Sequence, residues 1–108
     1  MKVYIRSAQD EMYYPKIDTD EGLNIIKRLR SMLQDKADRR PGQGLISVSY
    51  VEISDDSISM NVEYSRKNNL IIEKPCKITI YDEYFDKADY TSHVNRQIIS
   101  FVQMFFKN

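Results

Sequence analysis

From Ile58 to Ser65 the chain alternates without interruption: Ile58, Met60, Val62 and Tyr64 are apolar or aromatic, while Ser59, Asn61, Glu63 and Ser65 are polar. A backbone whose side chains point to opposite faces at successive residues reads such a pattern as a strand with one dry and one wet face. A half-dry strand needs neighbours, and the flanking sequence supplies them. Leu45 to Ile53 and Leu70 to Tyr81 are rich in β-branched and aromatic residues, and short polar turns at Ser54–Ser57 and Arg66–Asn69 separate the three.

The outer two strands carry irregularities. Ile46, Val48 and Tyr50 keep one phase, but Val51 and Ile53 keep the other, so the spacing predicts a bulge near Tyr50. Leu70, Ile72, Cys76, Ile78 and Ile80 share a phase across Pro75. Proline lacks the ladder donor, which predicts that this strand lies at an edge or bulges there.

Helical periods bracket the three strands. Ile25, Ile26, Leu29, Met32 and Leu33 form one stripe, with Lys27, Arg28, Ser31, Gln34 and Asp35 on the other side. Asp18 followed by Glu21 resembles a capping box and sets the start, and Arg39 to Gly44, with Pro41, ends the helix after Ala37. Thr91 to Phe106 forms the second helix, with Val94, Ile98, Phe101, Val102 and Phe105 inward and Ile99 and Phe106 on the flank. Lys2 to Arg6 reads as a further short strand. The expectation is one α+β domain over residues 1–108, in the order β-α-β-β-β-α. It has a four-stranded, mainly antiparallel sheet with both helices on one face and the last strand at an edge.

Chemistry is sparse. The one histidine, His93, falls with Arg96, Gln97 and Ser100 on the polar side of its helix, and the one cysteine, Cys76, shares the inward phase of its strand. One Cys and one His give no zinc set, and three glycines give no phosphate-cradling loop. No metal, cofactor or catalytic residue is therefore expected. Asp82, Glu83, Asp86 and Asp89 precede the second helix, where carboxylates also suit the positive end of the helix dipole. A carboxylate enzyme ranks third among the functional readings.

Binding is the leading expectation, with two candidate surfaces. Tyr13 and Tyr14 in a polar loop, with Tyr84, Phe85, Asp86 and Asp89 around the acidic turn, form an aromatic and acidic surface for a protein partner. Lys27, Arg28, Arg30, Arg39 and Arg40 make the first helix and its exit basic, which is the alternative, nucleic-acid reading. Sixteen basic and sixteen acidic residues leave no net charge to draw the whole chain to a polyanion. A lone cysteine and no long apolar run fit a cytoplasmic protein with no membrane segment. The apolar arc of the second helix, through Ile99 and Phe106, also allows a homodimer.

Two resemblances bear on function. The order helix, three strands, helix over Asp18 to Phe106 resembles the double-stranded RNA-binding domain, which implies phosphate contacts at the start of the second helix. That family has lysines there, whereas this chain has Asp86, Lys87, Ala88 and Asp89, which would repel an RNA backbone. The opening MKVYIRSA, Met1 to Ala8, resembles the start of small proteins of phages and other mobile elements. It implies an accessory or inhibitor protein, anti-CRISPR inhibitors being one kind, that acts by occupying a host protein's surface.

Overall fold

The alternating segment becomes the central strand of the sheet. A computed structural model describes residues 3–5, 19–54, 57–80 and 90–107. The fold is α+β, with two helices, α1 (Thr19–Asp38) and α2 (Tyr90–Phe105), and a three-stranded antiparallel sheet of β2 (Leu45–Ile53), β3 (Ser57–Arg66) and β4 (Asn69–Thr79). Beside β2, the backbone of β1 (Val3–Ile5) runs parallel to it, Val3 opposite Val51 and Ile5 opposite Ile53.

One core holds the fold together. Ile58, Met60, Val62 and Tyr64 of β3 are buried with Ile46, Val48, Val51 and Ile53 of β2 and with Cys76, Ile78 and Ile80 at β4 and its end. Both helices lie on this inward face: α1 contributes Ile25, Ile26, Leu29, Leu33 and Ala37, and α2 contributes Val94, Ile98, Phe101, Val102 and Phe105. Leu33 and Leu29 are wholly enclosed, a position where truncation to alanine costs about 2 to 5 kcal/mol. Met32, expected inward, stands at the rim of the α1 stripe and is half exposed.

The bulge predicted at Tyr50 is present. Ser49 pairs with Asn61 and Glu52 with Ser59, so β2 carries an extra residue between them. Tyr50 takes it up with φ of 53° and turns outward, which lets Val48 and Val51 both face the core despite their odd spacing.

In β4 the predicted single phase is corrected. Pro75 sits in regular register opposite Asn61, on a strand whose one described neighbour is β3, so it needs no bulge. The irregularity lies instead at Ile71: Tyr64 pairs with Ile72 and Ser65 with Leu70, leaving Ile71 over. Leu70 is thereby taken out of the inward phase and is 54% exposed.

The β2–β3 turn is closed by Ser54 N–H donating to the Ser57 carbonyl at 2.9 Å. The β3–β4 turn uses Lys67 and Asn68, both at positive φ, the requirement of a two-residue hairpin matched to strand twist.

Two glutamines tie the helices to the ends of the sheet. From α1, Gln34 Nε2 donates to the Gly44 carbonyl and its Oε1 accepts from Ile46 N–H, both at 2.9 Å, while Arg30 Nε donates to the Ile46 carbonyl at 3.0 Å. From α2, Gln97 Nε2 donates to the Thr79 carbonyl and its Oε1 accepts from Thr79 N–H, both at 2.7 Å. Each amide supplies what an adjacent strand would supply to backbone groups at a sheet margin. Both glutamines had been assigned to solvated helix faces. Across the end of β4, Lys74 Nζ donates to the carbonyls of Met104 and Lys107, closing the C-terminus of α2.

Candidate binding surfaces

The five expected cations of the first helix do not form one surface, because they lie on different sides of its cylinder. Arg30 turns to the Ile46 carbonyl, and Arg28 Nη1 donates to Asn95 Oδ1 of α2 at 3.0 Å. Lys27 lines, with Arg28, Glu21, Asn24 and Thr91, an open hollow of about 560 Å³ between α1 and the start of α2. One carboxylate and two cations share that hollow, so Glu21 offsets only part of its positive charge. Arg39 pairs with exposed Asp35 at 2.9 Å. Only Arg40 joins cations from elsewhere in the chain.

The helix exit folds back onto the end of the sheet. Gly44, at φ of 141°, lies so close to the β3 backbone that a Cβ there would stand 2.8 Å from the Ser65 carbonyl oxygen. This approach brings Pro41 and Gly42 to Arg66, whose Nη1 donates to the Pro41 carbonyl at 3.0 Å. Tyr64 donates its hydroxyl to the Gln43 carbonyl, pinning the same turn from inside.

Four side chains then stack in series. The Arg40 guanidinium lies 4.4 Å from the centre of the Phe106 ring, Phe106 meets Tyr64 edge to face at 5.2 Å, and Arg66 lies 6.0 Å over Tyr64. Aromatic faces attract cations while leaving the in-plane donors of a guanidinium available. Phe106, expected as part of a possible dimer face, is packed against the core and sits beneath Arg40.

Next to this end three exposed apolar side chains lie near one another. Leu45 pairs with Ser65, and Ser65 with Leu70, so the two leucines flank one small residue on the face of the sheet away from the helices. Each is 54% exposed, and Ile71 beside them is 46% exposed. A groove of about 280 Å³ runs along the rim, lined by Gly42, Arg66, Lys67, Asn69 and Ile71. Elsewhere the outward face carries Ser47, Ser49, Ser59 and Asn61, with Glu63 directly opposite Glu73, and also Pro75 and the exposed Tyr50.

The chemical residues stay where the core holds them. Cys76 is buried, and burial pushes its thiol up to about 12, so it carries no thiolate at neutral pH. The His93 carbonyl accepts from Gln97 Nε2. Among the described residues no group of His, Cys, Asp and Glu is arranged to hold a metal ion, and no helix is long and apolar enough to cross a membrane. Tyr13, Tyr14, Tyr84, Phe85, Asp86 and Asp89, the aromatic and acidic candidates, lie outside the described residues, as does Asp18.

Of the surface just described, the sequence singles out Arg40 as a basic candidate and Phe106 as the flank of an apolar helix arc. Leu45 and Leu70 carried no distinguishing signal, because an inward phase had been assigned to Leu70 and strand ends are commonly apolar. Comparison with known protein families, curated proteins and solved structures finds no match for this chain.

Proposed function

We propose that this chain is a non-enzymatic protein-binding module whose contact surface is the end of the sheet around Leu45, Leu70 and Ile71. The observation that supports it is the exposure of three large apolar side chains at one end of the sheet, Leu45 and Leu70 in register across Ser65 and Ile71 at the adjoining bulge. Folding alone gives no reason to place leucines there, and exposed apolar side chains grouped at one end of a sheet suit a partner that covers them. An accessory inhibitor of a host protein is the form of this function that the resemblance of Met1 to Ala8 to phage-encoded proteins implies. The finer architecture belongs to the same reading: β1 serves as a fourth strand beside β2, giving β-α-β-β-β-α with the order β1-β2-β3-β4. A cytoplasmic setting suits the lone cysteine.

The test is affinity capture from the source cell with the wild-type chain and with Leu45→Asp combined with Leu70→Asp. Both leucines are exposed, so circular dichroism should be unchanged by the substitutions. The reading expects a protein enriched by the wild type and absent from the variant capture. Enrichment of nucleic acid alone, or of a protein held equally by both, would overturn it. Substitution of Tyr13 and Tyr14 in the same experiment shows whether the aromatic loop contributes a second contact.

A further inference from the structure

We infer that the groove between Gly42 and Ile71 takes an acidic, apolar-flanked peptide segment of the partner protein, with its carboxylates on Arg66 and Lys67. The inference rests on the protein-binding reading above and names the chemistry of the partner at that site. Three observations carry it.

The first is that Arg66 is held in place before any ligand arrives. Its guanidinium lies over Tyr64 and gives one donor to the Pro41 carbonyl, which fixes the plane and leaves further donors exposed. A planar fork in a fixed orientation matches a carboxylate bidentately, and less rotamer freedom is lost on binding. Lys67, at the turn itself, lines the same groove.

The second is the sign of the surrounding charge. Arg40 stacks on Phe106, which meets the Tyr64 ring that carries Arg66, so the two guanidinium groups cap opposite ends of one aromatic pair. Among the described residues no carboxylate lines the groove. Arg66 and Lys67 give the described lining two positive charges although the chain as a whole is neutral.

The third separates a peptide from a nucleic acid. Ile71, 46% exposed, lines the same groove as Arg66 and Lys67, while Leu45 and Leu70 flank Ser65 on the outward face of the sheet. An acidic peptide with leucine-like side chains covers both features together. A phosphate backbone neutralises the cations and leaves the apolar side chains in water. The margin of β4 away from β3 is itself an unsuitable strand template, since Pro75 lacks a donor, Ile71 bulges and Gln97 already occupies Thr79. The segment is therefore held by side chains in the groove and not as an added strand.

Fluorescence anisotropy tests this with a short labelled peptide alternating Glu and Leu, the same peptide with Lys for Glu, and single-stranded and duplex DNA of similar length. The expected result is binding of the Glu–Leu peptide, no binding of the Lys–Leu peptide, and affinity about tenfold weaker for Lys67→Glu. Arg66→Lys keeps the charge and loses the fork, and should weaken binding several-fold. Lys67 is an exposed turn residue, so this variant reports on the site even if substitution of Arg66 disturbs the fold. Absence of peptide binding, equal affinity for Lys67→Glu, or tighter binding of DNA lost on the same substitutions would each overturn the inference. Partner capture separates the two levels. Retention by Lys67→Glu with loss on Leu45→Asp and Leu70→Asp removes the acidic segment and keeps the protein-binding reading, whereas equal retention by all variants removes both.

Discussion

Replacing Gln97 by alanine should destabilise the protein by about 2 kcal/mol, although the residue sits on the side of α2 that sequence assigns to solvent. The structure gives the magnitude. Gln97 makes two bonds of 2.7 Å to the N–H and carbonyl of Thr79, and its Nε2 also meets the His93 carbonyl at 3.1 Å. A hydrogen bond contributes about 0.5 to 1.5 kcal/mol net, and more is lost when a partly buried partner is left unmatched. Thr79 is only half-buried, so water recovers part of the loss, which sets the expected value near 2 and not 4 kcal/mol. For a domain of this length that is a fall in Tm on the order of 10 °C. Urea unfolding followed by far-ultraviolet circular dichroism measures it, because the chain has no tryptophan to report by fluorescence. Gln97→Glu adds a diagnostic. An ionised carboxylate still accepts from Thr79 N–H but places a second oxygen against the Thr79 carbonyl, so only the protonated form fits. The folded state then raises the pKa of the introduced group above its unfolded value of about 4.3, and the deficit relative to wild type should grow as pH rises through that value and shrink below it. A Gln97→Ala variant within about 0.5 kcal/mol of wild type, with a Gln97→Glu deficit that does not depend on pH, would refute the clamp.

Gly44→Ala should cost more than about 3 kcal/mol, since the added Cβ meets the Ser65 carbonyl oxygen at 2.8 Å and the residue sits at positive φ; thermal melting detects it. Tyr50→Gly should be neutral to stabilising by about 1 kcal/mol, because Tyr50 is 66% exposed and held at φ of 53°, where glycine carries no Cβ penalty; a loss of more than 1 kcal/mol would assign the ring a packing role. The Cys76 thiol should resist disulfide reagents until the protein unfolds. Its pKa is raised from 9.0 to about 12, so the folded state keeps a proton that the unfolded state releases. Stability contributed by that thiol is present below pH 9 and lost as pH rises through 12. The gap between wild type and Cys76→Ala should accordingly narrow by about 1.4 kcal/mol per pH unit above 9.

Periodicity carried most of the scaffold. The strict alternation of Ile58 to Ser65 and the phase change between Val48 and Val51 were enough to locate the central strand and the Tyr50 bulge, because a buried face tolerates no slip in register. The Ile71 bulge was illegible: Leu70, Ile71 and Ile72 are all apolar, and a run without alternation has no phase to break. Gln34 and Gln97 were read as solvated for a related reason. Amphipathic patterns distinguish apolar from polar side chains, but not a polar side chain that meets water from one that meets the margin of a sheet.

The candidate site was less legible than the fold. Lys27, Arg28, Arg30, Arg39 and Arg40 are close in sequence, but a helix turns successive residues by about 100°, which sends Arg30 to Ile46 and Arg28 to Asn95. Arg40 is linked to Arg66 through Phe106 and Tyr64, residues from two other parts of the chain, and strand register sets Leu45 and Leu70 on either side of Ser65. Such groupings exist only once the fold is known. The same register sets Glu63 opposite Glu73, a like-charged pair that opposes folding slightly and has no structural account here.

Hydrogen exchange on the chain bound to its captured protein partner tests the central claim most directly, since it reads the contact surface without any substitution. The account predicts new protection of backbone amides in residues 42–46 and 65–72, around Leu45, Leu70 and Ile71, with residues 24–31 of α1 unchanged. Protection centred on Lys27 and Arg28, or none at the end of the sheet, would contradict it.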